Sequence, residues 1–194
     1  GAIGTVHEVH NWCNRVPLGP RKRPVETFPV PPYLHWDLWL GPAPERPYHP
    51  TYFTGGCLWW DKWWDFGNGT IGGMGPHITD LGCWALDLGI ATTVEADSEP
   101  KGGYPEVYPE WLSIRWEYPA SGNRPPVTVY WHDGGNGPPK EYADIIGSNR
   151  NGHDTAGDQQ KCQPLCLGET HQHAVAVLSP HDIIRVVDHG ELFE

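Results

Sequence analysis

The chain has 194 residues and a formal net charge of −11, which results from 13 Lys and Arg against 24 Asp and Glu. This acidic balance disfavours a nucleic-acid partner, and no apolar run is long enough to span a membrane. The 24 Gly and 21 Pro exclude long uninterrupted helices, whereas 11 Trp, 8 Tyr and 4 Phe supply enough apolar surface for a packed core.

The predicted elements begin with a strand, a long loop and one helix. Residues 4–12 are partly β-branched and end in polar turn formers, which predicts a strand. The prolines that crowd into 17–50 predict a long, mostly extended loop. A glycine-rich run follows at 67–75. Apolar residues then recur at three- and four-residue steps after Pro76, which predicts a helix over 76–88.

A hairpin completes the predicted fold. Residues 112–118 and 126–132 alternate between apolar and polar side chains, and the turn-rich segment 119–124 separates them. Strand, loop, helix and hairpin in this order predict an α+β fold. We expect an open, mostly antiparallel β-sheet with a few short helices and long loops rich in Pro and Gly.

Composition divides the chain into two parts. All 11 Trp and all 8 Tyr lie at or before Tyr142, whereas five of the 11 His lie beyond it. We therefore predict a packed domain over 1–142. Residues 143–194 form a divergent His-rich tail, and a short β-rich extension is one interpretation of it.

The strongest catalytic candidates are His77 and Asp80, at the amino end of the predicted helix. Residues three apart share a helix face, so an imidazole and a carboxylate could face one pocket and exchange protons with a substrate. The alternative is structural: Asp80 caps the helix and His77 packs against Trp84.

Tryptophans and carboxylates elsewhere in the domain are compatible with a carbohydrate ligand. The flat indole rings could stack against a pyranose, although a Trp-rich core is the more common explanation for such rings. Four carboxylates near these rings could provide paired acid and base groups for glycoside hydrolysis: Asp37, Asp61, Asp65 and Glu117.

Two other kinds of site are disfavoured. The glycine run has neither the P-loop ending nor the spacing of a dinucleotide fingerprint, so we predict no cofactor site there. A metal site is also not predicted, because the spacing of its candidate ligands does not fit zinc: Cys162, Cys166, His171 and His173. The odd number of cysteines predicts reduced thiols, and no signal-peptide pattern opens the sequence, so we expect a cytoplasmic protein.

Several long motifs occur in one order, and together they resemble the carboxyl-terminal domain of the Gfo/Idh/MocA oxidoreductases. This is the glucose-fructose oxidoreductase and inositol dehydrogenase family, and the resemblance is to a subgroup common in environmental bacteria. It covers about 1–142 and is carried by the segments 1–10, 36–44, 46–50, 63–67 and 72–77.

The resemblance implies an open antiparallel sheet, a wall of a sugar-binding cleft and a homo-oligomer interface on the sheet face. His77 matches the catalytic histidine of the family and Asp80 the acidic residue that follows it, whereas Gly73 stands where the family usually has aspartate. On this basis we predict seven substrate-binding residues: His10, Trp12, Trp36, Asp37, Trp63, Trp64 and Asp65.

The family binds NAD or NADP through a Rossmann domain with a catalytic lysine, and neither has a counterpart in this sequence. We therefore expect no cofactor to be bound by this chain alone. The leading hypothesis is an oxidoreductase-like, carbohydrate-binding domain for a sugar or glycoside. The alternatives are a glycosidase that uses His77, Asp80 and nearby carboxylates, and a non-catalytic oligomerisation module.

Overall fold

The fold is a mixed β-sheet with one long helix packed against it. The computed structural model describes residues 4–13, 20–53, 56–99 and 106–140, together with three strands beyond them. The strands are β1 (Val6–Cys13), β2 (Thr93–Ser98), β3 (Leu112–Tyr118), β4 (Val127–Asp133), β5 (Cys162–Gly168), β6 (Val175–Ser179) and β7 (Asp182–Val187). The helices are α1 (Trp36–Leu40), α2 (Pro50–Phe53), α3 (Cys57–Trp60) and α4 (Gly69–Ala85).

The strands form one sheet in the order β2-β3-β4-β1-β5-β6-β7. β1 and β4 pair in parallel, and the other neighbouring pairs of described strands are antiparallel. The predicted α+β class, with an open and mostly antiparallel sheet, is therefore confirmed. β1 lies in the middle of this sheet, although it is first in the chain.

The predicted hairpin is confirmed as β3 and β4. Residues of β4 alternate between buried and half-buried, as the apolar alternation in the sequence requires. The turn is closed by reciprocal backbone hydrogen bonds between Ser121 and Arg124, at 3.0 and 2.9 Å. Gly122 within it has a φ of +57°, a conformation that favours glycine.

The helix begins earlier than the sequence predicted and ends earlier too. α4 covers Gly69–Ala85 rather than 76–88, because the glycine run is itself helical and Pro76 lies inside the helix. The glycines allow a close approach to the sheet: a Cβ on Gly82 would lie 3.1 Å from Cγ1 of Val9. The helix ends where Leu86 donates its N–H to the Gly82 carbonyl, and Asp87 then takes a φ of +48°.

Two cores hold the described part of the chain together. One lies between α4 and the sheet, and the other joins α1, α2 and the neighbouring loops. The buried residues of the first are Val6, Val9, Cys13, Ile78, Val127, Val129 and Trp131. Those of the second, which we call the aromatic core, are Trp36, Leu40, Tyr48, Tyr52, Trp63 and Val107. The aromatic core anchors the described part of the proline-rich segment, residues 20–50, which is a loop as predicted apart from α1 and the first residue of α2.

Some elements were not predicted. The helices α1 to α3 are only four or five residues long, so they carry too little periodicity to be recognised. β2 is exposed along most of its length and shows no apolar alternation. Within the described residues, none of the helices combines the length and apolarity that crossing a membrane requires.

Candidate functional site

The two faces of α4 differ sharply. Gly69, Gly75, Ile78 and Gly82 are buried against the rest of the protein. The opposite face, which we call the outward face, is exposed and carries Gly72, Gly73, Pro76, His77, Asp80 and Trp84. Trp84 is 83% exposed, which is unusual for so large an apolar ring.

His77 and Asp80 are neighbours on the outward face. Side chains three positions apart on a helix have Cβ atoms about 5–6 Å apart. Both side chains are exposed, so neither is used for packing in the core. The helix therefore brings the two predicted catalytic residues together and presents them to solvent, and Trp84 follows His77 two turns later along the same face.

Other atoms of the protein occupy the space beside the glycines at the start of α4. A Cβ on Gly67 would overlap the backbone of Asp61, and one on Gly72 would overlap the side chain of Asn68. A Cβ on Gly69 would lie 2.8 Å from the ring of Tyr108. The backbone N–H of Gly69 already donates to the Asp61 carbonyl, at 3.0 Å. This run is therefore not an open cradle for a pyrophosphate.

Several predicted substrate-binding aromatic residues lie inside the protein. Trp36 is 8% exposed and donates its indole N–H to the Arg46 carbonyl, at 2.8 Å. Trp63 is fully buried and packs edge-on against Tyr52. Trp12 in β1 is 2% exposed. These rings contribute packing area and offer very little surface to a ligand.

Trp64 differs from these rings because it is 52% exposed. Its indole lies against the ring of Tyr108, with centroids 3.7 Å apart. Tyr108 in turn packs over Gly69 at the start of α4. Among the predicted aromatic residues that the structure describes, Trp64 is therefore the one that offers a large exposed ring surface, and it lies beside the start of α4.

The two predicted aspartates have different surroundings. Asp65 is 14% exposed and accepts hydrogen bonds from the guanidinium groups of Arg23, at 2.6 Å, and Arg46. Arg23 also pairs with Glu106 at 2.5 Å, so this ion-pair cluster ties the proline-rich segment to the chain before α4. Asp37 is exposed on α1. Asp65, in contrast, has a structural role in the fold, because two arginines hold the Asp65 carboxylate.

His10 lies on the sheet face opposite α4. It is buried, whereas His77 is exposed. Its ring stacks on Tyr130, with centroids 4.5 Å apart, and contacts His132 and Glu8 through its two nitrogens. Burial lowers the pKa of His10, and the neighbouring Glu8 carboxylate opposes this shift. Burial, together with the charge of His10, lowers the pKa of His132 to about 4. Ser113 lies 3.5 Å from the other nitrogen of His132.

Next to this histidine pair, Asp133 is a buried carboxylate on the helix side of β4. It accepts the indole N–H of Trp131 at 2.9 Å and the backbone N–H of Leu112 at 2.6 Å. Burial nevertheless raises the pKa of Asp133 to about 6. His132 and Asp133 were not predicted as site residues, because their only signal in the sequence is their place at the end of an alternating strand.

An apolar groove separates α4 from β3 on the inner side of the helix. Its volume is about 320 Å³. Its lining includes Ile71, Thr79, Cys83, Trp116, Tyr118 and Val129. Burial raises the pKa of the Cys83 thiol, so the thiol stays protonated near neutral pH.

No group of three or more potential metal ligands occurs among the residues that the structure describes. Two of the candidate ligands weighed in the sequence, His171 and His173, lie outside those residues. Cys162 and Cys166 lie in β5.

A family model described as the oxidoreductase family, carboxyl-terminal alpha/beta domain, of the Gfo/Idh/MocA type, matches residues 9–124. The match includes α4, β2 and β3 and the part of β1 from Val9 onwards. Among proteins with curated descriptions, none matches the chain.

Proposed function

The chain belongs to the Gfo/Idh/MocA oxidoreductase family through its carboxyl-terminal α/β domain, and on this premise we propose that it binds a sugar or glycoside at the outward face of α4. The observation that carries the proposal is the joint exposure of His77 and Asp80 on one helix face. An exposed imidazole beside an exposed carboxylate is able to bind hydroxyl groups and exchange protons with them.

The residues of the outward face have distinct roles in this proposal. His77 accepts a hydrogen bond from one substrate hydroxyl. It takes the proton of that hydroxyl when the carbon that bears it is oxidised. Asp80 accepts a hydrogen bond from a neighbouring hydroxyl and so fixes the orientation of the ring. The exposed indoles of Trp64 and Trp84 provide apolar surfaces at the two ends of the helix.

A hydride acceptor lies outside what this chain provides. The family uses NAD or NADP for that purpose, and the glycine run at the start of α4 does not fit a pyrophosphate because Asp61, Asn68 and Tyr108 occupy the space beside it. We therefore assign this chain only substrate binding and proton exchange. The cofactor would have to be held by a Rossmann domain that packs against the outward face.

A glycosidase that needs no cofactor has less support. Of its candidate carboxylates, Asp65 is held by Arg23 and Arg46. Glu117 pairs with Arg115 on β3, on the sheet face opposite α4. These two carboxylates are not placed to act with His77 on one glycosidic bond. Asp61, by contrast, approaches the outward face, because its Oδ2 would lie 2.9 Å from a Cβ on Gly73.

Assembly into a homo-oligomer is a separate proposal that concerns the sheet face opposite α4. This face carries Arg115, Glu117 and Glu95 on the exposed side of β2 and β3. Complementary charges on two copies could pair there. Light scattering of the wild type and of Arg115→Glu measures the change in mass, and a wild-type monomer at high concentration contradicts this proposal.

The test of sugar binding is ligand-observed NMR titration with D-glucose and myo-inositol. We expect His77→Gln and Asp80→Asn to weaken binding by about tenfold, the loss that removal of one hydrogen-bonding partner produces. The matched controls are His35→Gln and Asp97→Asn, which alter an exposed histidine and an exposed aspartate away from α4. Equal binding by all four variants, or no binding by the wild type, would overturn the proposal.

A further inference from the structure

A carboxylate from outside α4 lies directly over its outward face. A Cβ placed on Gly73 would lie 2.9 Å from Oδ2 of Asp61, which belongs to the turn that follows α3. Gly73 precedes His77 by four positions, so the two residues share a face of the helix. The Asp61 carboxylate is thus displaced from His77 by about one turn, or 6 Å along the helix axis.

Backbone contacts fix the position of Asp61. Its Oδ1 accepts the N–H of Asn68 at 3.2 Å, and its carbonyl oxygen accepts the N–H of Gly69 at 3.0 Å. Gly67 approaches the Asp61 backbone so closely that no side chain fits there. The backbone at the start of α4 therefore packs against Asp61, and Oδ2 of Asp61 is the atom that lies over the outward face.

Carboxylates consequently flank His77 on both sides. Asp61 lies one turn towards the amino end of the helix, and Asp80 lies nearly one turn towards the carboxyl end. The stretch from Gly73 to Asp80 spans about 10 Å of helix. This is long enough for a ring with several hydroxyl groups to contact all three side chains.

The geometry points to Asp61 as a substrate-binding residue that, together with Asp80, selects a neutral saccharide over an acidic one. This inference rests on the proposed function and names its substrate class. Carboxylates accept hydrogen bonds from hydroxyl groups, whereas they repel the carboxylate or phosphate of an acidic sugar. The expected ligand is a polyhydroxylated ring without a negative charge.

Two variants test the role of Asp61 in different ways. Asp61→Asn removes the charge and keeps the shape of the side chain. Gly73→Ala keeps Asp61 but places a methyl group where its Oδ2 lies, so the carboxylate must move. Alanine also favours a helix over glycine, so this variant is expected to fold. The controls are Asp97→Asn, which likewise accepts a backbone N–H, and Gly89→Ala, whose Cβ meets only open space.

The readout is the ratio of the affinities for D-glucose and D-glucuronate, measured by NMR titration of the full chain. We expect the wild type to prefer D-glucose. In Asp61→Asn and Gly73→Ala, binding of D-glucose falls several-fold and the preference for it over D-glucuronate decreases. The two control variants keep both the affinity and the preference of the wild type.

The outcomes separate this inference from the proposed function. If His77→Gln weakens D-glucose binding while Asp61→Asn and Gly73→Ala bind both sugars as the wild type does, only the role of Asp61 is overturned. A fall in both affinities with an unchanged ratio shows a merely structural role and also overturns it. If the wild type binds neither sugar, the proposed function fails as well.

Discussion

The imidazole rings of His10 and His132 meet across two neighbouring parallel strands, with Nδ1 of His10 and Nε2 of His132 3.4 Å apart. Two protonated imidazoles have no acceptor nitrogen to offer each other, so this contact requires at least one neutral ring. The contact is therefore compatible with the fold at neutral pH, whereas protonation of both rings at acidic pH disfavours it. Asp133, the next residue along β4 after His132, responds to acid in the opposite direction.

We predict that these two residues largely cancel each other in the pH dependence of stability. The pKa of His132 is about 4 when folded and returns to 6.5 on unfolding, so acidification across this window destabilises the protein. The pKa of Asp133 is about 6 when folded and 3.8 when unfolded, so acidification stabilises the protein. Asp133→Asn should lose stability more steeply than the wild type between about pH 6.5 and 4.

The measurement is urea denaturation of the wild type, Asp133→Asn and His132→Asn at several pH values in this window. His132→Asn should lose less stability than the wild type as the pH falls, because one of the groups that acid protonates more readily in the unfolded chain is removed while Asp133 remains. Parallel pH profiles for all three proteins would contradict the prediction.

Asp65→Asn should lower the free energy of unfolding by roughly 1–3 kcal/mol, because the guanidinium groups of Arg23 and Arg46 lose the carboxylate between them. Chemical denaturation measures this loss. The comparison is Glu95→Gln, which removes an exposed partner of Arg115 and should leave stability unchanged. Unchanged stability in Asp65→Asn would show that the cluster does not anchor the proline-rich segment.

Gly134→Ala should be strongly destabilising. Gly134 has a φ of +64°, and a Cβ there would overlap the Glu110 carbonyl and lie 2.5 Å from Cα of Trp111. We expect a cost of about 3 kcal/mol from the strained backbone and the overlap together. Gly137→Ala is the control, because its Cβ would meet nothing within 4 Å. Similar melting temperatures for the two variants would refute this account.

Lys62 is 2% exposed and lies beside the rings of Trp59 and Trp63. Burial, and then the charge of Arg21, lowers the pKa of Lys62 to about 8. The unfolded chain therefore binds an extra proton between about pH 8 and 10.5, and the wild type gains stability as the pH rises through this range. Lys62→Met should not show this gain.

Thermal unfolding of the wild type and Lys62→Met at pH 7 and about pH 9.5 tests the prediction. The difference in stability between the two proteins should shift in favour of the wild type at the higher pH. A difference that does not change with pH would mean that Lys62 keeps its ordinary pKa.

Sequence patterns predicted the hairpin because every second residue of β4 packs against α4 and the sheet core. Apolar side chains therefore recur at every second position of the strand. Sequence patterns placed the start of α4 wrongly because glycine has a low intrinsic helix propensity, and only the close approach of Tyr108 to Gly69 and of Asp61 to Gly73 explains its use there. Tertiary contacts decided this boundary, and a single sequence does not show such contacts.

The candidate site was predictable to the extent that it follows helix geometry. His77 and Asp80 are three apart on one helix, so their shared face could be inferred from spacing alone. Asp61 contributes from a separate turn, and only the folded chain places its carboxylate over Gly73. For the same reason, spacing could not distinguish the buried Trp36 and Trp63 from the exposed Trp64.

The central position of β1 in the sheet has a consequence for folding kinetics. Its partners lie far along the chain: His10 and His132, for example, are 122 positions apart. Contacts of such sequence separation slow folding, because a long loop must close before the strands pair. During synthesis, Val9 and Trp12 remain without their sheet partners until β4 has been made. We therefore expect slow refolding and a need for chaperones in the nascent chain.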